Sequence, residues 1–416
     1  MSTEAPHPES APPPARDPRL QVDPEGLRGL WTRFTRQVSQ GELGALPVII
    51  GLIVIWLYFS LSEENFLTAG NITNLFLQIT ALGVIATGVV LVLLLGEIDL
   101  SVGIVSGLAA ACMAVVNTKH GWDGWGAIIL ALLVGVAIGA FQGFFITVFQ
   151  VPSFVVTLAG LLAFQGVLLY VLGDTGTVNL NDEIIIDLAN TFYSDYVGWI
   201  IAIVILVPYV LFTLNGWRRR VASGLDTTPF LLIVLQMAVV VIGSLVAVAV
   251  MNADRGVPLA VLIFIGIVIA TDFLLRRTAF GRHVYAVGGN AEAARRAGIS
   301  LTRVRMIVFI LCSTLAAAGG ILAASRLFAV NQGSGSGDEL LNAIAAAVIG
   351  GTSLFGGRGT AWSALLGALV IGSISNGMDL KGLESSQKFM VTGAVLLLAV
   401  TLDATARRGR RSSGRA

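Results

Sequence analysis

Charge is what this chain is shortest of. Asp, Glu, Lys and Arg together make 12% of its 416 residues, against about 25% in soluble domains. That shortage excludes an ordinary soluble protein, whose surface helices need polar faces. The charges that exist nearly cancel, at a net +1, so there is no basic footprint for nucleic acid. Cysteine is almost missing too. Cys112 and Cys312 each sit inside an apolar run without CxxC spacing, which excludes a disulfide framework or a thiolate metal site and leaves them as small buried hydrophobes. The three histidines, His7, His120 and His283, fall in tails or loops and form no HExxH. No histidine is left in an apolar run to relay protons. The lysines are Lys119, Lys381 and Lys388, none of them after a glycine, so the phosphate-cradling GxxxxGK[ST] loop is absent. Any ATP used must be hydrolysed by another chain.

What is present is oil. Hydrophobic residues make 55% of the chain, its mean hydropathy is +0.84, and apolar runs of about 20 residues recur along its length. The fold class is therefore all-α: a polytopic helical membrane protein of 10–12 transmembrane helices, some re-entrant or broken. Twelve spans are expected near 46–62, 75–95, 101–116, 125–149, 153–173, 196–215, 229–251, 256–275, 304–323, 341–352, 361–377 and 387–402. The tenth is too short to cross alone and reads as a half-helix. Residues 1–40, rich in Pro and without an apolar core, read as a disordered cytoplasmic tail rather than a secretory signal. Residues 41–405 form the permeating domain and 406–416 a basic cytoplasmic tail. Lys and Arg in short loops mark the cytoplasmic side. With twelve crossings, Arg28/Arg33/Arg36, "WRRR" ending at Arg220, "RRTAFGR" from Arg276, Arg295/Arg296/Arg303/Arg305 and the tail "ARRGRRSSGR" all land there. Both termini are then cytoplasmic. Ten crossings also fit if two segments are re-entrant.

Ionisable residues inside spans are few. Asp272 and Asp403 each stand four residues before an arginine, Arg276 and Arg407, a spacing that lets them pair on one helix face. The exception is "LVLLLGEIDLSVGIVSG", where Glu97 and Asp99 separate two apolar runs. Two readings stand open. In one, Gly96 ends a helix and Asp99 or Ser101 caps the next at a hairpin tip. In the other, Gly96, Glu97, Asp99, Ser101 and Gly103 form a broken helix inside the bundle that lines or gates a pathway. A second glycine-rich break, "IGGTSLFGG", holds Gly350 and Gly351 and matches the first at Gly96/Gly350, Leu100/Leu354 and Gly103/Gly357. Either two related halves or chance accounts for three matches. Polar residues in the spans, Gln78, Thr87, Gln142, Thr157, Gln165, Asn342, Ser373 and Asn376, can face a hydroxylated substrate or join helices.

On the basic side, residues 283–303 hold a third feature. Gly288 and Gly289 break the chain, Asn290 suits an N-cap, "AEAARRA" favours helix, and Gly298 suits the C′ position. These signals specify a short capped helix, with Ala293, Ala294 and Ala297 small enough for close approach and Glu292, Arg295 and Arg296 charged. It is either a docking helix or a loop helix on the membrane surface.

"EAARRAG" resembles the EAA–Gly loop of ABC importer permeases, although the continuation "ISLTRV" lacks the usual proline. "GEIDLSVG" resembles the hallmark of their ribose/xylose-type branch. "VPSFVVTLAGLLAFQG", "RGVPLAV", "LNAIAAAVIGGTSLFGG" and "NGM" at Asn376–Met378 agree with it in order, most nearly with its xylose-transporting members. The resemblance implies a permease subunit, not an enzyme, importing a monosaccharide, a pentose such as D-xylose, across a bacterial inner membrane. It implies no cofactor in this chain, with ATP and Mg on a partner. The partners it implies are an ATP-binding subunit docked on Asn290–Gly298, an extracytoplasmic sugar-binding protein, a second permease copy and the lipid bilayer. An ATP-independent secondary sugar transporter is the alternative.

Overall fold

The computed structural model describes residues 46–224 and 229–412. The expected tail 1–40, with Arg28, Arg33 and Arg36, lies outside the described residues, as do the side chains of Asp403, Arg407 and the basic C-terminal stretch. Fifteen helices carry the described chain. The first five are α1 (Leu46–Ser62), α2 (Ala69–Leu94), α3 (Val102–His120), α4 (Gly124–Val148) and α5 (Ser153–Leu172). A short α6 (Glu183–Asn190) precedes α7 (Asp195–Ala222), α8 (Phe230–Asn252) and α9 (Leu259–Arg277). Two short helices, α10 (Ala279–Gly289) and α11 (Ala291–Arg296), lead into α12 (Leu301–Leu327), α13 (Asp338–Ile349), α14 (Trp362–Leu380) and α15 (Ser385–Ser412). Each of the twelve expected spans coincides with one of these helices. Among the described residues nine are long and apolar enough to cross a membrane, and the 17-residue α1 is apolar but shorter. The fold is a polytopic helical membrane protein. The 12-residue α13 is the expected half-helix, followed by a non-helical stretch from Gly350 to Ala361.

Burial sorts these helices into an inner and an outer set. In α2, 89% of the most apolar stretch is buried, and in α3 and α14 67%; in α8 the figure is 6%. Leu211, Phe212, Leu235 and Val239 stand exposed on α7 and α8. Only lipid covers so much apolar surface without cost. The core is α2 and α12, with α3, α4, α13 and α14 against them, and its centre is built of small residues: Ala109, Ala111, Ala316, Ala317, Ala345 and Ala346 are fully buried. Small side chains allow the close backbone approach that helix association in lipid relies on.

Local chemistry sets the ends. Asp123 accepts from Gly126 N to start α4 (3.0 Å), and Ser300 accepts from Arg303 N to start α12 (3.4 Å). Helix α2 begins six residues before the expected span because its polar first turn is satisfied. Asn71 and Asn376 exchange amide hydrogen bonds (2.9 and 3.0 Å), and Asn74 Oδ1 accepts from Arg255 Nη2 (2.6 Å). Between the expected spans 153–173 and 196–215, "NDEIIID" (Asn181–Asp187) turns helical at Glu183 and opens α6. Asp182 Oδ1 caps it at Ile184 N (2.9 Å), and Ile185 and Ala189 are buried beneath it. Beside α6 two antiparallel ladders close the same end of the bundle: β1 (Thr177–Asn179) pairs with β4 (Ala329–Asn331), and β2 (Phe192–Tyr193) with β3 (Val257–Pro258). Helix α11 lies at the opposite end, with the C-terminus of α2 and the first turn of α12.

The Asn71–Asn376 pair predicts a coupled loss. Asn71→Leu and Asn376→Leu each lower stability by about 1–2 kcal/mol, and the double variant falls short of their sum by about 1 kcal/mol. Unfolding titrations of the four proteins in micelles measure this, and strictly additive losses contradict it.

Candidate functional site

The two interruptions seen in the sequence meet at the α11 end. Helix α2 stops at Leu94, Gly96 turns the chain at φ +76°, and α3 starts at Val102. The second break, after α13, folds back so that Gly357 N donates to Leu94 O (2.9 Å). Gly96 lies against the Phe355 carbonyl, where a side-chain Cβ would stand 3.3 Å away. A helix interrupted inside lipid must have its free backbone groups satisfied by protein. Here one break supplies the other.

Asp99 is 4% exposed, well inside the bundle. Its Oδ1 accepts from Ser101 N (2.8 Å) and from Ser101 Oγ (2.7 Å). Gln142 Nε2 of α4 donates in turn to Ser101 Oγ (2.6 Å), and the Cys312 thiol of α12 adjoins the carboxylate. Ser101, expected as an alternative cap, makes no cap bond of its own. Its hydroxyl is spent between Asp99 and Gln142. Gly103 is buried in the first turn of α3, facing the Gly335 carbonyl.

Glu97 is held differently. Its Oε1 pairs with Arg305 Nη2 of α12 (3.0 Å), and its Oε2 accepts from Ser153 Oγ at the start of α5 (2.6 Å). Both side chains are largely shielded, Glu97 at 17% and Arg305 at 31% exposure, so salt screens the pair less than a surface one. Arg305 counted in the sequence only toward orientation, and Ser153 only as part of "VPSFVV". No local spacing links positions 97, 153 and 305, so their meeting had no signal to read.

The segment 283–303 closes on the same place. Asn290 Oδ1 accepts from Ala293 N (2.9 Å), capping α11, and Gly298 follows its last turn at φ +84°. Glu292 pairs with Arg295 (3.0 Å) and Arg296 (3.3 Å) on an open surface. Such exposed pairs are weak and readily exchanged for a partner's acids. Ala293 and Ala297 are exposed, but Ala294 is turned inward at 5% exposure. It seats the helix on the core and is not offered to another protein. Just before α11, Tyr285 Oη donates to Gly359 O (2.8 Å), and burial raises the phenol's pKa above its ordinary value, so it stays a donor. Gly288 packs so tightly on the α2 terminus that a Cβ would lie 1.7 Å from Leu94 O.

The remaining candidates divide. Gly350 caps the end of α13 beside Ser363, and Gly351 turns the chain at φ +104°. Asn376 is not with them. Asn71, its partner, lies 23 residues before Leu94, roughly 35 Å along α2 at 1.5 Å per residue. Among the other polar residues of the spans, Thr87 Oγ1 donates to Gly83 O, Thr157 Oγ1 to Ser153 O, and Ser373 Oγ accepts from Trp56 Nε1. The two threonine bonds are satisfied within their own helices, and the Trp56–Ser373 bond fastens α1 to α14.

A family described as "Branched-chain amino acid transport system / permease component" matches residues 71–400. The chain is 38% identical over 368 residues to the xylose transport system permease protein XylH of Escherichia coli (strain K12), covering 88% of this chain and 93% of that one. It is 36% identical over 366 residues to XylH of Haemophilus influenzae, covering 86% and 95%. It is 31% identical over 357 residues to the ribose import permease protein RbsC of Escherichia coli (strain K12), covering 85% and 92%. No solved structure matches the chain significantly.

The two adjacent glycines ahead of α11 give a paired prediction. Gly288→Ala forces Leu94 away from Gly357 and costs about 2–4 kcal/mol. Gly289→Ala meets nothing within 4 Å and stays within about 0.5 kcal/mol. Thermal stability of the two variants in detergent decides, and equal losses contradict the packing described.

Proposed function

The chain belongs to this family of transport-system permease components, and we propose that it forms the membrane path of an ATP-driven ABC importer of a monosaccharide, a pentose such as D-xylose. It is a multi-pass membrane protein and a transport component rather than an enzyme. The observation that carries the ATP-driven reading is α11. A capped helix of six residues stands at one end of the bundle with charged residues and alanines outward, and the chain on either side of it is fastened to both helix breaks. A free surface loop has no use for such anchoring. An ATP-binding subunit that seats Glu292, Ala293, Arg295, Arg296 and Ala297 gains a lever on the bundle interior.

Orientation follows from charge. Arg218–Arg220 at the end of α7, Arg276, Arg277 and Arg282 around α9 and α10, and Arg295, Arg296, Arg303 and Arg305 gather at the α11 end. The opposite end carries Glu63, Glu64, Asp174, Asp182, Glu183, Asp187 and Asp254. The positive-inside rule makes the α11 end cytoplasmic, in the bacterial inner membrane, with both chain termini on that side. The β1–β4 and α6 end then meets an extracytoplasmic sugar-binding protein, which delivers the pentose. ATP and Mg sit on the ATP-binding subunit. A second copy of this permease completes the path between two protomers. The names of the relatives, xylose transport and ribose import permeases, support a pentose. Gly96, Glu97, Asp99, Ser101, Gly103, Gly350 and Gly351 act in this reading as the gating breaks, and Asn376 as a fastening at the far end.

The test is reconstitution. Vesicles with this chain, an ATP-binding subunit and a D-xylose-loaded binding protein accumulate xylose when ATP is supplied. The chain alone does not, and accumulation by it alone establishes the secondary transporter instead. Within the complex, Gly298→Val puts a β-branched residue at φ +84°, a strain of about 1–2 kcal/mol that lowers xylose-stimulated ATP hydrolysis at least about tenfold. Gly298→Asn, which tolerates that conformation, stays within about threefold of wild type. Stimulated hydrolysis at saturating ATP reads the difference, and loss with Asn as large as with Val contradicts the cap.

A further inference from the structure

We propose that Glu97 is a coupling strut: its carboxylate, bridging Arg305 and Ser153, carries displacement of the docking helix into the start of α5 and the interrupted segment between α2 and α3. The inference rests on the reading that an ATP-binding subunit seats on α11, and it assigns positioning roles to Glu97, Arg305 and Ser153 that their sequence contexts do not show.

The geometry begins with a short tether. Four residues, 297–300, separate α11 from α12, and they are fixed at both ends, by Gly298 at its left-handed φ and by the Ser300 cap. A shift of α11 is therefore passed to the first turns of α12, where Arg305 projects. Arg305 Nη2 meets Glu97 Oε1 at 3.0 Å, and the other carboxylate oxygen takes the Ser153 hydroxyl at 2.6 Å. Ser153 is the first residue of α5, and its Oγ also lies 3.5 Å from Ile98 N. One carboxylate thus joins three elements that have no helix in common: α12, α5 and the segment Leu95–Ser101.

A purely static brace could be built from apolar side chains. Glu97 and Arg305 are mostly shielded, and Arg305 Nε is buried with no partner among the described residues. A shielded ion pair is costly to form and costly to break singly, which suits a contact that has two arrangements better than a simple filler. The second grip lies on the other side of α11. Gly288 rests on Leu94 O, which also accepts from Gly357 N, and Tyr285 holds Gly359. The docking helix is therefore bracketed: the glycine contact fixes the end of α2 while the strut pulls on the residues just beyond that end. Rotation of α11 about the first bears on the second.

The experiment uses the complete complex in liposomes: permease, ATP-binding subunit and binding protein, with D-xylose as the probe. Recovery of the ATP-binding subunit on tagged permease is measured beside the ratio of xylose-stimulated to unstimulated ATP hydrolysis. Glu97→Gln and Arg305→Gln each keep the subunit bound and the half-saturating xylose concentration unchanged, and lower that ratio at least about tenfold. The charge-exchanged double variant, Glu97→Arg with Arg305→Glu, recovers it to within about threefold. Should the single variants not accumulate in the membrane, the exchanged pair decides: accumulation with stimulation supports the strut, and accumulation without it overturns the strut. Full stimulation in either folded single variant overturns it as well. A wild-type complex that shows no stimulation overturns the ATP-driven reading, and the strut with it. Stimulated wild type beside equally stimulated variants overturns the strut alone.

Discussion

A helix cannot simply stop inside lipid. Its last four carbonyls and the next helix's first four N–H groups have no water to turn to, so protein must satisfy them. This chain interrupts its buried core twice among the described residues, after Leu94 and after Ile349, and the rest of the architecture at its α11 end follows from that. The Leu94 carbonyl is answered by Gly357 N, and Ser101 N by the Asp99 carboxylate. Because each break depends on a group brought from elsewhere in the chain, neither can move alone. Interruption, which looks like a weakness, makes the region mechanically connected.

The same constraint explains the composition around it. Apolar side chains gain little from leaving lipid for a lipid-like core, so association must come from close packing and a few interhelical hydrogen bonds. The buried alanines of α3, α12 and α13 provide the first, and Asn71–Asn376, Trp56–Ser373 and Gln142–Ser101 the second. Of the polar residues that could have been taken for a sugar path, Gln142, Ser373 and Asn376 are committed to that task, while Asn342 Oδ1 and Gln142 Oε1 have no partner among the described residues.

Segment by segment, the twelve apolar runs were readable because each coincides with an apolar helix, nine of them long enough to cross a membrane among the described residues, and hydropathy is the dominant signal for such helices. The cap and terminus of α11 were readable because Asn290 and Gly298 act within their own turn. Legibility ended where partners are distant in sequence. Asn71 and Asn74 looked like loop residues because their satisfaction comes from Asn376 and Arg255. Helix α6 was hidden in "NDEIIID", of which only Ile185 is fully buried, because its anchor is distant: Ser325 of α12 accepts from Ala189 N and donates to Ile186 O. Arg305 was one more positive charge until folding placed it on Glu97. Local rules report local bonds, and this site is built from non-local ones.

A buried carboxylate in a transporter invites an ion-coupled mechanism, and Asp99 is the residue on which that rival must rest. The direction of its hydrogen bonds argues otherwise. Gln142 donates to Ser101, and Ser101 donates twice to Asp99, so the carboxylate is the terminal acceptor of a short line that begins at a side-chain amide. An amide N–H does not release its proton near neutral pH. Among the described residues the line goes no further than Gln142, whose Oε1 has no partner there. A proton arriving at Asp99 would find no onward relay along it, and it would weaken the bonds that open α3. Asp99 is thus better suited to holding a helix start in lipid than to carrying charge, which agrees with the proposal that the energy for movement enters where the chain is exposed, capped and fastened, at α11.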